Sequence, residues 1–147
     1  MKRLSRLLGA ALLATAGCGY VSFRKPMTDD ELRLEREIRG YYAEIRAAFA
    51  AGNPQSLATL FDPNITSPMS RPEVERWAEK FFAEHGRAHF KIEGFSLDEL
   101  AFERAVVTLR YRVDTPDGRG GFGGAERDTL VKKSGRWYTA AWERLKD

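Results

Sequence analysis

Apolar residues in the first half of the chain recur at helical spacing, and in the second half they alternate. Leu34, Ile38, Tyr41, Ile45, Ala48 and Phe49 fall on one helical face. Thr28 followed by Glu31 forms a capping box at the start of that helix, and Asp29 and Asp30 add negative charge where a helix start favours it. Gly52 stops it. Asn53 then caps a short second helix with Pro54 at its first position, and Leu57, Leu60 and Phe61 give it an inward side. The stretch "DPNITSP" reads as a turn with a short extended piece around Ile65. Ser70 and Glu73 form a second capping box around Pro72. Val74, Trp77, Ala78 and Phe81 make the inner stripe of a third helix that ends near Gly86.

From there the period is two. Ala88, Phe90 and Ile92 alternate with His89, Lys91 and Glu93, and "FSLDELAFER" is expected to turn the chain. Ala105, Val107, Leu109, Tyr111 and Val113 alternate with polar neighbours in the clearest strand of the sequence. "DTPDGRGGFGG" reads as a glycine-rich hairpin connection with a mobile tip. A strand around Glu126 to Lys133, a tight "KSG" turn and a last strand from Arg136 to about Arg144 complete the order. Helices followed by an antiparallel meander predict an α+β domain, with N-terminal helices packed on one face of a curved sheet.

The N-terminus follows a different pattern. Lys2, Arg3 and Arg6 precede an uncharged apolar run from Leu7 to Ala16. That run is far shorter than the ~20 residues a helix needs to span a bilayer core, and small residues follow it, as in a secretory signal. It leads to Cys18, the one cysteine of the chain. Ala16, Gly17 and Cys18 resemble the bacterial lipoprotein signal, with Thr15 standing where an aliphatic residue is usual. The resemblance implies a diacylglycerol on the Cys18 sulfur, with Cys18 as the first mature residue. The alternative is an ordinary secretory signal with a chance cysteine. The expected organisation is a signal over 1–17, a lipidated cysteine and tether over 18–27, and a domain over 28–147. The expected address is the cell envelope, at the outer membrane facing the periplasm if the host is Gram-negative. Gly19 after the lipid site favours that sorting.

Removing the signal changes the charge picture. Of 24 Lys plus Arg, three lie in the first 17 residues, which hold none of the 21 Asp plus Glu. The remainder is balanced. Nucleic-acid binding loses its electrostatic support, and no nucleic-acid motif is present. With no second cysteine, the domain needs neither disulfides nor thiolate metal ligands.

The order of elements, with "YYAEIRAAFAAGNPQSLATLFDPNI" and the closing "TLVKKSGRWYTAAWERL", resembles the nuclear transport factor 2-like superfamily, the SnoaL-like or cystatin-like α+β cone. The likeness covers about residues 30 to 145. It implies a cone whose wide mouth can hold a small apolar molecule, in a superfamily that includes ketosteroid isomerases, polyketide cyclases, scytalone dehydratase and limonene epoxide hydrolase. Many other members are non-catalytic, binding ligands, forming dimers or serving as accessory subunits. In the isomerases a carboxylate base follows the short helix, where this chain has Ile65, Thr66, Ser67 and Pro68. Counting back from Ala51-Gly52 puts the family's helix-one tyrosine near Ile45. An acid on the third strand corresponds to Asp128, but Asp128 beside Arg127 reads as a surface pair. Glu126 and Asp62 are the other positions to which a base could have moved.

The remaining motifs add little chemistry. His85 and His89 have metal-pair spacing, but Gly86 between them ends the helix, and no metal or other cofactor is called for. Gly118 to Gly124 lacks the Lys and Ser/Thr of a phosphate loop. Arg110 and Arg112 read as a solvated face. Tyr42, Phe61, Trp77, Phe81, Tyr111 and Trp142 are the candidate pocket-lining residues, and no catalytic residue is assigned. The leading expectation is a membrane-anchored lipoprotein whose non-catalytic cone binds a small apolar ligand or an envelope protein, with a homodimer possible. The alternatives are a small isomerase, dehydratase or hydrolase, and a structural subunit of an envelope complex. Two ionisable groups converging in the cone would favour the enzyme.

Overall fold

A computed structural model describes residues 25–146. The expected lipid site at Cys18 and the expected signal before it lie outside the described residues. Among those described, no helix is long and apolar enough to cross a membrane.

Three helices precede four strands: α1 (Asp29–Ala51), α2 (Pro54–Ala58), α3 (Arg71–His85), β1 (His89–Leu100), β2 (Arg104–Asp114), β3 (Phe122–Lys133) and β4 (Arg136–Arg144). The strands form one antiparallel sheet in the order β1-β2-β3-β4. The helix starts follow from their caps. Thr28 Oγ1 accepts from the Glu31 N–H at 3.2 Å, and Glu31 accepts the Thr28 N–H at 2.7 Å. Asn53 accepts the Ser56 N–H at 3.0 Å. Glu73 takes both the N–H and the hydroxyl of Ser70, at 2.6 and 2.7 Å. Gly52 ends α1 with φ 62°, a left-handed conformation that glycine adopts without strain.

Two sequence-based boundaries move, both for identifiable reasons. "FSLDELAFER" is not all turn. β1 runs on through it to Leu100, and only Ala101–Glu103 reverses the chain. Register shifts at Ile92/Gly94 and at Leu97/Glu99 each insert a residue. Inward positions therefore step by three at Ile92–Phe95 and at Leu97–Leu100, which breaks the alternation in sequence while preserving it in space. β3 also begins at Phe122, before Glu126, so Gly123 and Gly124 belong to the strand, opposite Arg112 and Tyr111. A Cβ on Gly123 would lie 2.5 Å from the Tyr111 carbonyl oxygen, so only glycine fits that pairing.

The helices cover one sheet face. Ile38, Tyr42, Val107, Leu109, Val113 and Leu130 are fully buried between the layers. A seam closes the β4 side. Leu60 accepts the Thr139 N–H at 3.0 Å, and Thr139 accepts the Asp62 N–H at 2.8 Å. The Tyr41 hydroxyl lies 3.1 Å from the Leu60 carbonyl and 2.5 Å from Thr139 Oγ1. The carbonyl can only accept, so Tyr41 donates to it and Thr139 donates to Tyr41. Beside this seam the helices and the sheet part around a cavity, and that cavity is the candidate site.

Candidate functional site

Between α1, α3 and the sheet lies a partly open cavity of about 440 Å³. Its walls are largely aromatic. Trp77 stacks on Phe81 at 5.2 Å, Phe122 meets both edge-on, and Phe61 packs against Trp142 at 5.2 Å. All six candidate lining residues, Tyr42, Phe61, Trp77, Phe81, Tyr111 and Trp142, line this space. Trp77 differs from its expected place in the core: it is 38% exposed. Val74, Ala78, Phe81 and Phe82 form the buried face of α3, leaving Trp77 at the rim.

The hairpin segment that closes one edge of the cavity is tied down. Asp117 Oδ2 lies 2.9 Å from His85 Nδ1, and Asp117 Oδ1 accepts from Thr115 at 2.7 Å and from the Arg119 N–H at 3.0 Å. These bonds, the His85 contact first, hold the Asp117 carboxyl far below its ordinary range. Gly120 lies against the His85 ring, where an added Cβ would come within 2.4 Å. The expected mobile tip is thus a pinned flap. His85 belongs to this latch and not to a metal pair with His89. Among the described residues no cluster of His, Cys, Asp and Glu could hold a metal ion.

The ionisable side chains of the cavity lie mostly on β3. Glu126, Asp128 and Leu130 alternate with Arg127 and Thr129, so the three share a face. Leu130 is fully buried, and the two acids point inward with it. Asp128 is 3% exposed and is no surface pair with Arg127. Arg127 faces away, pairing with Glu143 at 3.3 Å and Asp98 at 3.8 Å. Asp128 Oδ2 accepts a 2.7 Å hydrogen bond from the Tyr42 hydroxyl, while Oδ1 is buried without a hydrogen-bond partner among the described residues. The helix-one tyrosine that meets this acid is therefore Tyr42, not the residue at Ile45. Both positions line the cavity, one helical turn apart.

Environment separates the two carboxyls. Burial, and then the neighbouring Glu126 charge, push Asp128 up to about 8. Burial also raises Glu126, and its carboxyl stays above the ordinary range although Tyr111, Arg144 and Asp128 each oppose that rise. The interaction between the acids raises Asp128 and lowers Glu126, so the proton stays on the deeper group. Tyr42 already donates to Oδ2, which places the Asp128 proton on Oδ1. Burial, followed by Asp128, drives Tyr42 well above the ordinary phenol range, so it remains a donor. The cavity thus sets Asp128, a retained acid at depth, beside Glu126, a less buried carboxyl that gives up its proton more readily. Paired acids whose environments drive them apart are the physical basis of acid–base division of labour.

The other positions named as homes for a base differ. Asp62 is 4% exposed but does not line the cavity. It bonds Lys133 at 2.5 Å and accepts the Asn64 N–H at 2.8 Å. Thr66 and Ser67 do not line the cavity either. Sequence alternation could have found the acid pair: once Leu130 is set inward, Asp128 and Glu126 must follow it.

No protein-family model matches the sequence, and no curated protein matches it significantly. Solved structures do. A candidate scytalone dehydratase from Novosphingobium aromaticivorans superposes with a TM-score of 0.68 at 17% identity, over 82% of this chain and 93% of that one. A protein of unknown function from Mycobacterium tuberculosis gives 0.67 at 18% identity, over 80% and 75%. A cystatin-like protein of unknown function from Nostoc punctiforme gives 0.61 at 12%, over 77% and 90%. The fold is the cystatin-like α+β cone. At these identities the cone architecture is what is shared, and the chemistry rests on this chain's own residues.

Proposed function

We propose that the cone is an acid–base chamber for a small, largely apolar molecule carrying a carbonyl-type oxygen. One observation supports this most: Asp128 is buried with Oδ1 unpartnered while Tyr42 occupies Oδ2, beside a second carboxyl on the same strand face. A purely structural acid has its oxygens satisfied, as Asp62 does. Asp128 Oδ1–H donates to the ligand oxygen, and Glu126 removes a proton from the adjacent carbon. The resulting enolate is held by the Asp128 hydrogen bond, and Glu126 returns the proton to a different carbon. The sum is an isomerisation, with one C–H bond broken, one formed, and no co-reactant required. Aromatic walls exclude water and strengthen both hydrogen bond and charge. This reading favours the enzymatic alternative over a non-catalytic binding module.

The test is proton exchange from carbon acids, a panel of cyclic enones in deuterated buffer, monitored by NMR with the full chain in detergent. Glu126→Gln and Asp128→Asn should each lower the rate ~10²–10⁴-fold, the usual worth of a positioned acid or base. Exchange that is absent in the parent, or unchanged in both variants, would leave only ligand binding. The lipid anchor on Cys18 is part of the same proposal, and Cys18→Ser should move the chain from the membrane to the soluble fraction.

A further inference from the structure

Arg144 is the one cation among the described residues that line the cavity. It stands directly across from Glu126 in the β3–β4 register, yet among the described residues it makes no ion pair. Its guanidinium leans the other way, along β3 toward Gly123 and Gly124. Nη2 donates to the Gly123 carbonyl at 2.5 Å. A Cβ on Gly124 would lie 3.1 Å from Nη2, so the glycine leaves room for the guanidinium to lie against the strand. The two glycines that sequence reading assigned to a hairpin tip thus form a bed for this side chain. A guanidinium carries five N–H donors in a fixed fork, and the Gly123 bond accounts for one direction only. Arg144 lines the cavity and is exposed to solvent, which puts it at the rim. Trp77, Phe122 and Tyr111 line the same cavity.

We propose that Arg144 is an anion anchor at the mouth and that the cone takes an elongated apolar carboxylic acid. Its carboxylate meets Arg144, its body lies along the aromatic wall, and an oxygen at its far end meets Asp128 Oδ1. Planar two-point pairing is what guanidinium offers a carboxylate. Gly124 and Asp128 are four residues apart on β3, about 13 Å at ~3.3 Å per residue. Hydrogen bonds of ~3 Å at both ends leave roughly 7 Å if they run along the strand and up to about 13 Å if they run across it, a span that brackets a biphenyl-length body. The acid–base reading is used here only to place the inner oxygen.

A matched pair of probes tests this: para,para′-hydroxybiphenylcarboxylate and its neutral carboxamide. Binding to the full chain in detergent is followed by quenching of the cavity tryptophans and by calorimetry. The carboxylate should bind at least tenfold tighter. Arg144→Gln should reduce that preference to near unity without weakening the carboxamide, and Arg144→Lys should restore part of it. Equal affinity of the two probes in the parent, failure of both to bind, or a preference undiminished in Arg144→Gln would overturn the proposal. The two readings fail separately. Exchange catalysis dependent on Glu126 and Asp128 with no carboxylate preference would sink the Arg144 anchor alone. A carboxylate preference with no exchange activity would sink catalysis alone.

Discussion

Two buried aspartates show how one side chain takes opposite roles within 70 residues. Asp62 and Asp128 are 4% and 3% exposed. Asp62 sits in the seam between α2 and β4. Burial raises its pKa, but the Lys133 ammonium and the Asn64 N–H outweigh that, and the carboxyl is held below its usual range. Asp128 lies deep, with no cation against it. Its one strong donor is the neutral Tyr42 hydroxyl and its nearest charge has its own sign, so burial prevails and the proton is retained. Low exposure therefore does not make an acid. Depth and the sign of the nearest charge decide which state survives.

The sharpest way to break this contrast is to remove the titration at Asp128. An unfolded Asp titrates near ~3.9, whereas the folded group titrates at about 8. Between these values the folded state holds the extra proton, so this group's contribution is full below pH ~4 and declines as pH rises toward 8. The slope is up to about 1.4 kcal/mol per pH unit. Asp128→Asn should abolish that decline. The variant should therefore melt several degrees above the parent at pH 8 while losing exchange activity. Parallel melting-temperature profiles from pH 5 to 8 would show that Asp128 is ionised in the folded protein.

The converse experiment is smaller. Lys133→Met leaves Asp62 with the Asn64 N–H and only the charge of Arg71, which makes no ion pair with it. Lys133 is half-exposed, so screening limits the loss to about 1 kcal/mol at pH 7. Because the Asp62 pKa is depressed, the pair's contribution is present at neutral pH and is lost as pH falls through the carboxylate range. The difference between parent and variant should shrink on acidification, as read from urea midpoints at pH 7 and pH 3. Exchange activity should be unaffected, since Asp62 does not line the cavity; a large loss there would dissolve the distinction between the two acids.

The smallest expected effect is at the rim. Trp77→Ala removes a side chain that is 38% exposed. It should cost less stability than the ~3–5 kcal/mol typical of truncating a fully buried tryptophan, while weakening ligand binding through the lost aromatic wall. A stability loss in the fully buried range would place Trp77 in the core.

Much of the fold was legible because its signals are local. Thr28–Glu31, Asn53–Pro54 and Ser70–Glu73 mark helix starts within four residues, and a period of 3.6 or 2 is set by backbone geometry alone. Where a signal needed a partner strand, sequence reading slipped. The β1 bulges disguise a continuous strand as a turn, and the paired glycines of β3 look like a loop until Tyr111 and Arg112 lie opposite them. The six aromatic residues that line the cavity stand out by composition, but whether they surround a space or fill it depends on how the helices settle on the sheet.

The acid pair marks the division most clearly. Sequence alone placed Glu126, Asp128 and Leu130 on one strand face, because alternation is a property of the extended chain. It could not say which face was inward, since charged Arg127 and apolar Leu130 compete for that assignment within four residues. Nor could it supply Tyr42, whose hydroxyl reaches Asp128 from 86 residues away. Only the packing of α1 over β3 brings that donor to Oδ2, excludes a cation from Oδ1 and removes water from both. An ordinary carboxylate becomes a retained proton for that reason, since a pKa is set by the three-dimensional surroundings of a group and not by its neighbours along the chain.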